Sequence, residues 1–251
     1  MIVYLVTRST TGIFYNACPF TQLGVMVTVP NSMSQSAIGC KFLGVPRTAV
    51  AVAVTTVALD FVCVIQNIDG QVRISISLLA FALAVYLSDG DHKSLGLRAS
   101  PVQGWSCWIS MSLKIGCAVA VCIIVGFGLW SMLGNELELA FTQPSQAWSK
   151  FILMCFVAPT LEEAVYRFVA CGLIAAIVGN KRTIVVNGLL FGILHFLYGN
   201  PSPENMIGGL FLAWSYLKSE TILMPFLLHS IGNFLALTGQ VVGWYILGSI
   251  A

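Results

Sequence analysis

The chain has 251 residues, 57% of them hydrophobic and 9% charged, with a mean hydropathy of +0.88 and a formal net charge of +2. Soluble domains carry about 25% charged residues, so this chain has too little charge to cover a water-facing surface. No basic cluster exceeds the pair Lys181–Arg182, which argues against a nucleic-acid partner.

Residues 1–45 begin apolar but are interrupted by Arg8, Asn16 and Pro19, and read as an N-terminal segment of uncertain structure. Clear apolar spans follow at about 46–65, 72–88 and 112–133. The fourth, at about 150–179, is the longest, and Pro159 near its middle is expected to kink or break it. Shorter spans follow at about 183–199, 205–218 and 221–237, then an apolar run at 239–251 too short to cross alone. With no repeat and no linker, 46–251 reads as a single transmembrane domain. The expected fold is an all-α, polytopic transmembrane helical bundle of about seven spans, six to eight, with its polar site inside the bundle.

Placing 41–47 in the cytoplasm puts Lys93, Arg98, Lys114, Lys181, Arg182 and Lys218 there too. Glu136 and Glu138 then lie outside, together with Arg73 and Lys150. The positive-inside rule thus favours a multi-pass protein of the cell membrane with a cytoplasmic flank before the first clear span. The eight cysteines include no CxxC, and Cys117 and Cys122 share an apolar run, so they read as buried small hydrophobes.

Against this background, ionisable groups inside the spans stand out. Each costs about 2.5–3.5 kcal/mol at mid-bilayer on insertion scales, and such groups normally face the bundle interior. Of three histidines, His92 falls in a polar loop, whereas His195 ("LLFGILHFLYG") and His229 ("MPFLLHSIGNFLAL") lie within spans. In "FVAPTLEEAVYRFVACG", Glu163 and Arg167 are four apart and can pair on one helix face, while Glu162 is rotated by about 100° toward another neighbour. His229 and Asn233 share a face in the same way, as do Phe191 and His195.

Three helices can therefore bring one carboxylate, two imidazoles and one carboxamide to a single pocket. A carboxylate with a histidine can hold a water and take its proton. A second histidine and an asparagine can donate to an oxygen on which charge develops. Hydrolysis of a carbonyl compound fits this set; a transporter or proton relay and a structural scaffold also use intramembrane polar clusters. A serine or cysteine nucleophile fits less well, since there is no GxSxG and Cys171 has no histidine on its own helix. HExxH is absent too, although Glu162, His195 and His229 form a set that could hold zinc. Asp60, alone in the first clear span, is either a hydrogen-bonded structural acid or a contributor to the site.

"EEAVYR", "FGILH" and "HSIGN" resemble, in order and spacing, the EExxxR, FxxxH and HxxxN motifs of the CPBP family of intramembrane proteases, which includes type II CAAX prenyl endopeptidases and Abi-type proteins. The resemblance covers about 150–237. It implies an intramembrane endopeptidase (a hydrolase) whose site opens toward the cytoplasmic side and whose substrate is a membrane-associated peptide or protein, prenylated in the CAAX branch. Carried over by position, Glu162 and His195 would activate water, His229 and Asn233 would stabilise the oxyanion, and Glu163, Arg167 and Phe191 would organise the site. The resemblance leaves metal dependence open; the expectation here is a glutamate mechanism with no metal or other cofactor, with zinc as the alternative.

Overall fold

A computed structural model describes residues 37–134, 140–200 and 203–246. The expectations for residues 1–36, for Glu136 and Glu138 and for the chain beyond Ile246 lie outside these. Among the described residues there are seven helices, no strand, and a 3₁₀ turn at Cys40–Gly44. Helix α1 is Pro46–Ile65, α2 Gly70–Ser88 and α3 Trp105–Met132. Helix α4 runs over 144–178, α5 is Asn180–Leu197, α6 Pro203–Ser219 and α7 Leu223–Ile246. The local signals are ordinary. Pro46 opens α1, where its missing N–H costs nothing, and Asp69 caps α2 by accepting from the Gln71 N–H at 2.8 Å.

The protein is an all-α bundle of the kind that spans a membrane. Four stretches are long and apolar enough to cross on their own: α1, α2, α7 and Trp105–Gly126 of α3. Helix α5 opens with Asn180, Lys181 and Arg182, α6 has 17 residues, and α4 is divided by wide turns, so these three do not meet that criterion. The apolar run expected to stand alone after 238 is instead part of α7, which continues through Gly239 to Ile246. Residues 37–45, expected to belong to the N-terminal segment, pack into the domain: Ile38 and Phe42 are fully buried. Cys63, Cys155 and Cys171 are buried as expected of small hydrophobes, but Cys117 and Cys122 are exposed on α3, where a thiol facing lipid loses nothing.

Pro159 does not break its helix. Helix α4 passes through it by alternating ordinary and wide turns: Pro144–Ile152 is α-helical, Leu153–Val157 π-helical, Ala158–Glu162 α-helical, Glu163–Cys171 π-helical and Gly172–Val178 α-helical. Each wide turn shifts the backbone register and frees carbonyls from the helical ladder, a common device at functional sites.

Helices α5 and α6 pack backbone to backbone. A methyl group at Gly209 would come 2.8 Å from Phe191 Cβ, and one at Gly188 2.5 Å from Leu210 Cγ. Small residues serve this purpose in membranes, where close packing rather than water exclusion drives helix association. Arg167 on α4 reaches the Gly209 carbonyl beside this contact.

Candidate active site

The middle of α4 supplies both carboxylates. Glu163 Oε2 lies 3.2 Å from Arg167 Nε, one turn away, with side chains 2% and 0% exposed. Arg167 also donates from Nη2 to the Gly209 carbonyl at 3.3 Å, and its guanidinium stacks 4.4 Å from the Phe191 ring centroid. The pair expected from the spacing is present, but Glu163 does more: its Oε1 accepts from His229 Nδ1 at 2.8 Å. Since a carboxylate only accepts, His229 carries a proton on Nδ1. The other ring nitrogen, Nε2, lies 3.7 Å from Glu162 Oε2. One imidazole thus sits between the two adjacent carboxylates.

Glu162 is otherwise little engaged. Its Oε2 is buried and has no hydrogen-bond partner among the described residues. His195, in the last turn of α5, bonds through Nδ1 to the Phe191 carbonyl at 3.0 Å. A carbonyl cannot donate, so Nδ1 bears the proton and a neutral His195 keeps its lone pair on Nε2, the form a base requires. Phe191 is the hub of the site, with ring centroids 4.4 Å from His195 and 5.8 Å from His229. It fixes both imidazoles and the guanidinium by shape.

The structure thus gathers Glu162, Glu163, Arg167, Phe191, His195 and His229. Asn233 is turned differently: its Nδ2 donates to the Met154 carbonyl at 2.7 Å. One of its two amide protons is therefore committed to the backbone of α4, leaving one for any other acceptor. Cys171 packs in an apolar cluster with Ile38, Ala175, Ala213 and Tyr216. His92 is exposed, as a loop histidine should be. Among the described residues no group of three His, Cys, Asp or Glu side chains is arranged to hold a metal ion.

Asp60 is a buried, fully partnered acid. Its Oδ1 takes Arg73 Nε and Nη2, each at 2.8 Å, and its Oδ2 accepts from the Tyr166 hydroxyl at 2.9 Å. Arg73 also donates to the Tyr198 hydroxyl. Tyr166 lies one turn after Glu162 and Tyr198 one turn after His195, so this network ties the α1–α2 hairpin to both elements of the site. Asn187 adds a further tie, donating to the Tyr166 carbonyl at 2.6 Å within the second wide turn of α4. Tyr166, Arg73, Tyr198 and Asn187 escape motif reading.

Beside the cluster lies a cavity of about 580 Å³ between α2, α4 and α7. Its walls include Ile74, Phe81, Phe156, Phe168 and Phe226, and Glu163 stands at its polar edge. That volume falls in the range of small-molecule sites, and its lining suits an apolar group.

Fold and cluster together define an integral membrane helical bundle with a buried Glu–His–Arg site. Residues 144–235, which run from the start of α4 into α7 and include every residue of that cluster, match the Rce1-like family, described as type II CAAX prenyl endopeptidase Rce1-like. Over that stretch the chain is similar to this type II CAAX prenyl endopeptidase family. No curated protein and no solved structure matches the chain.

Proposed function

We propose that the protein is an intramembrane endopeptidase that hydrolyses a peptide bond of a membrane-associated substrate carrying an apolar or lipidated segment. The observation that carries this reading is the buried Glu162 carboxylate oxygen, unpartnered beside His229 Nε2 and close to an imidazole whose free nitrogen is the basic one. In the proposed reaction, a water held by Glu162 and His195 gives its proton to Glu162 as its oxygen bonds the carbonyl carbon. The oxyanion is met by His229 Nε2 and by the second amide proton of Asn233. Collapse breaks the C–N bond, and the leaving nitrogen takes the proton back from Glu162.

The donor role of His229 has a charge requirement. Because Nδ1–H is held by Glu163, donation through Nε2 needs the imidazolium. The apolar cavity beside Glu163 supports a substrate with a lipid or long aliphatic group.

The test is terminal-peptide mass spectrometry of membranes carrying the wild-type protein or Glu162→Gln at equal folded level. Cleavage products confined to wild type support a protease and name its substrate class. Their absence, with prenylated and other membrane-bound substrates demonstrably present, moves the reading to a transporter or partner-binding scaffold. Chelators are expected to leave turnover unchanged; turnover lost on chelation and restored by stoichiometric zinc would require a metal mechanism.

We place the site's opening toward the cytoplasm, the side on which α7 begins. The basic segments assemble there: Gly39 N–H bonds the Ser94 carbonyl at 2.8 Å and Ile222 N–H the Gly96 carbonyl at 2.9 Å, joining the 41–47 flank, the 89–104 loop and the α6–α7 connection. Ser100→Cys in the loop is expected to react with an impermeant thiol reagent only after cells are opened. Reaction on intact cells, above the wild-type background, inverts the topology.

A further inference from the structure

The Met154 carbonyl is the point at which α7 grips α4. In the wide turn at Leu153–Val157, the Ala158 N–H reaches back to the Leu153 carbonyl, five residues away. Ala158 is therefore not the partner of Met154, as it would be in an α-helix. In the wide register that partner is residue 159, and Pro159 has no N–H. The helix leaves the Met154 carbonyl open, and Asn233 Nδ2 fills it at 2.7 Å.

We propose that Pro159 is a positioning residue for Asn233: by withholding one backbone proton from Met154, it creates the acceptor that anchors the carboxamide of the HxxxN element. In lipid an unsatisfied carbonyl costs several kcal/mol, so this acceptor holds its donor firmly. The anchor also places Asn233 one turn beyond His229 on α7, against the helix that carries Glu162 two turns further on. The geometry gives the first of the two amide protons a structural task and orients the second. Without Pro159 the ladder can close on itself, and Asn233 loses its fixed partner.

The kinetic part of this inference rests on the hydrolytic reading; the structural part does not. Wild type, Asn233→Ala, Pro159→Ala and the double variant, each as the full chain in detergent, form a double-mutant cycle read by thermal unfolding. Asn233→Ala alone is expected to lower Tm by about 2–4 °C, as the loss of one buried hydrogen bond does in a chain of this size. In the Pro159→Ala background, where residue 159 supplies an N–H, it should lower Tm by less than half as much. Equal losses in both backgrounds overturn the proposal. Where Asn233→Ala alone gives no folded protein, recovery by adding Pro159→Ala supports it and failure to recover overturns it. On a cleaved substrate, Pro159→Ala should lower kcat by about tenfold with KM unchanged, the signature of a displaced group rather than lost binding. Unchanged kcat overturns the positioning role. If no variant, wild type included, cleaves any substrate while the coupling in Tm persists, the hydrolytic reading has failed and the anchor stands.

Discussion

Glu162→Gln is expected to lower kcat by about 10²- to 10⁴-fold, the range that removal of a positioned general base produces, while KM and thermal stability stay near wild type. Glutamine keeps the shape of the side chain and removes its basicity. The Oε2 of Glu162 makes no hydrogen bond within the described protein, so no structural bond is lost with the charge. His229 remains held by Glu163 at 2.8 Å. The comparison with Glu163→Gln sharpens the test, because that change weakens the hold on both Arg167 and His229 and should lower stability and turnover together. Steady-state kinetics with thermal unfolding in the same detergent distinguishes the two. A Glu162→Gln protein with turnover within a few-fold of wild type would remove Glu162 as the base.

Arg167→Met is expected to be the most damaging single change to stability, costing about 3–5 kcal/mol, because it strands Glu163 as a buried charge. The guanidinium has three simultaneous contacts: Glu163 through Nε, the Gly209 carbonyl through Nη2 and the Phe191 ring by stacking. Lysine offers a point charge and no planar fork, so Arg167→Lys should recover little. Glu163→Gln combined with Arg167→Met should recover part of the stability, since no unpaired charge remains, yet none of the turnover. These outcomes are read by the folded fraction on size-exclusion chromatography and by Tm. A stable, active Arg167→Lys protein would show that charge alone matters at this position.

Much of the architecture was legible before any coordinates because a membrane imposes length and apolarity on each span. The first span matches α1 residue for residue, and the motif spacings anticipated the Glu163–Arg167 pair and the Phe191–His195 contact. What escaped reading has physical reasons. Periodicity assumes 3.6 residues per turn, and α4 departs from it twice, so His229 was not expected to lie against both Glu162 and Glu163. The destination of Asn233 depends on a carbonyl, and sequence does not display the bonding state of carbonyls. The Asp60–Arg73 pair was within reach, since a four-residue loop joining antiparallel helices sets the two residues opposite each other. Counting Arg73 only as a charge on the outer side, at the start of the second span, concealed it.

That pair bears on how the protein enters its membrane. Asp60 stands on α1 and Arg73 on α2, thirteen positions apart, and either charge alone would raise the cost of inserting its helix. Bonded to each other, they cross as a neutral unit. The hairpin rather than the single helix is then the natural quantum of biogenesis, and it meets the later helices already carrying the carboxylate to which Tyr166 bonds at 2.9 Å.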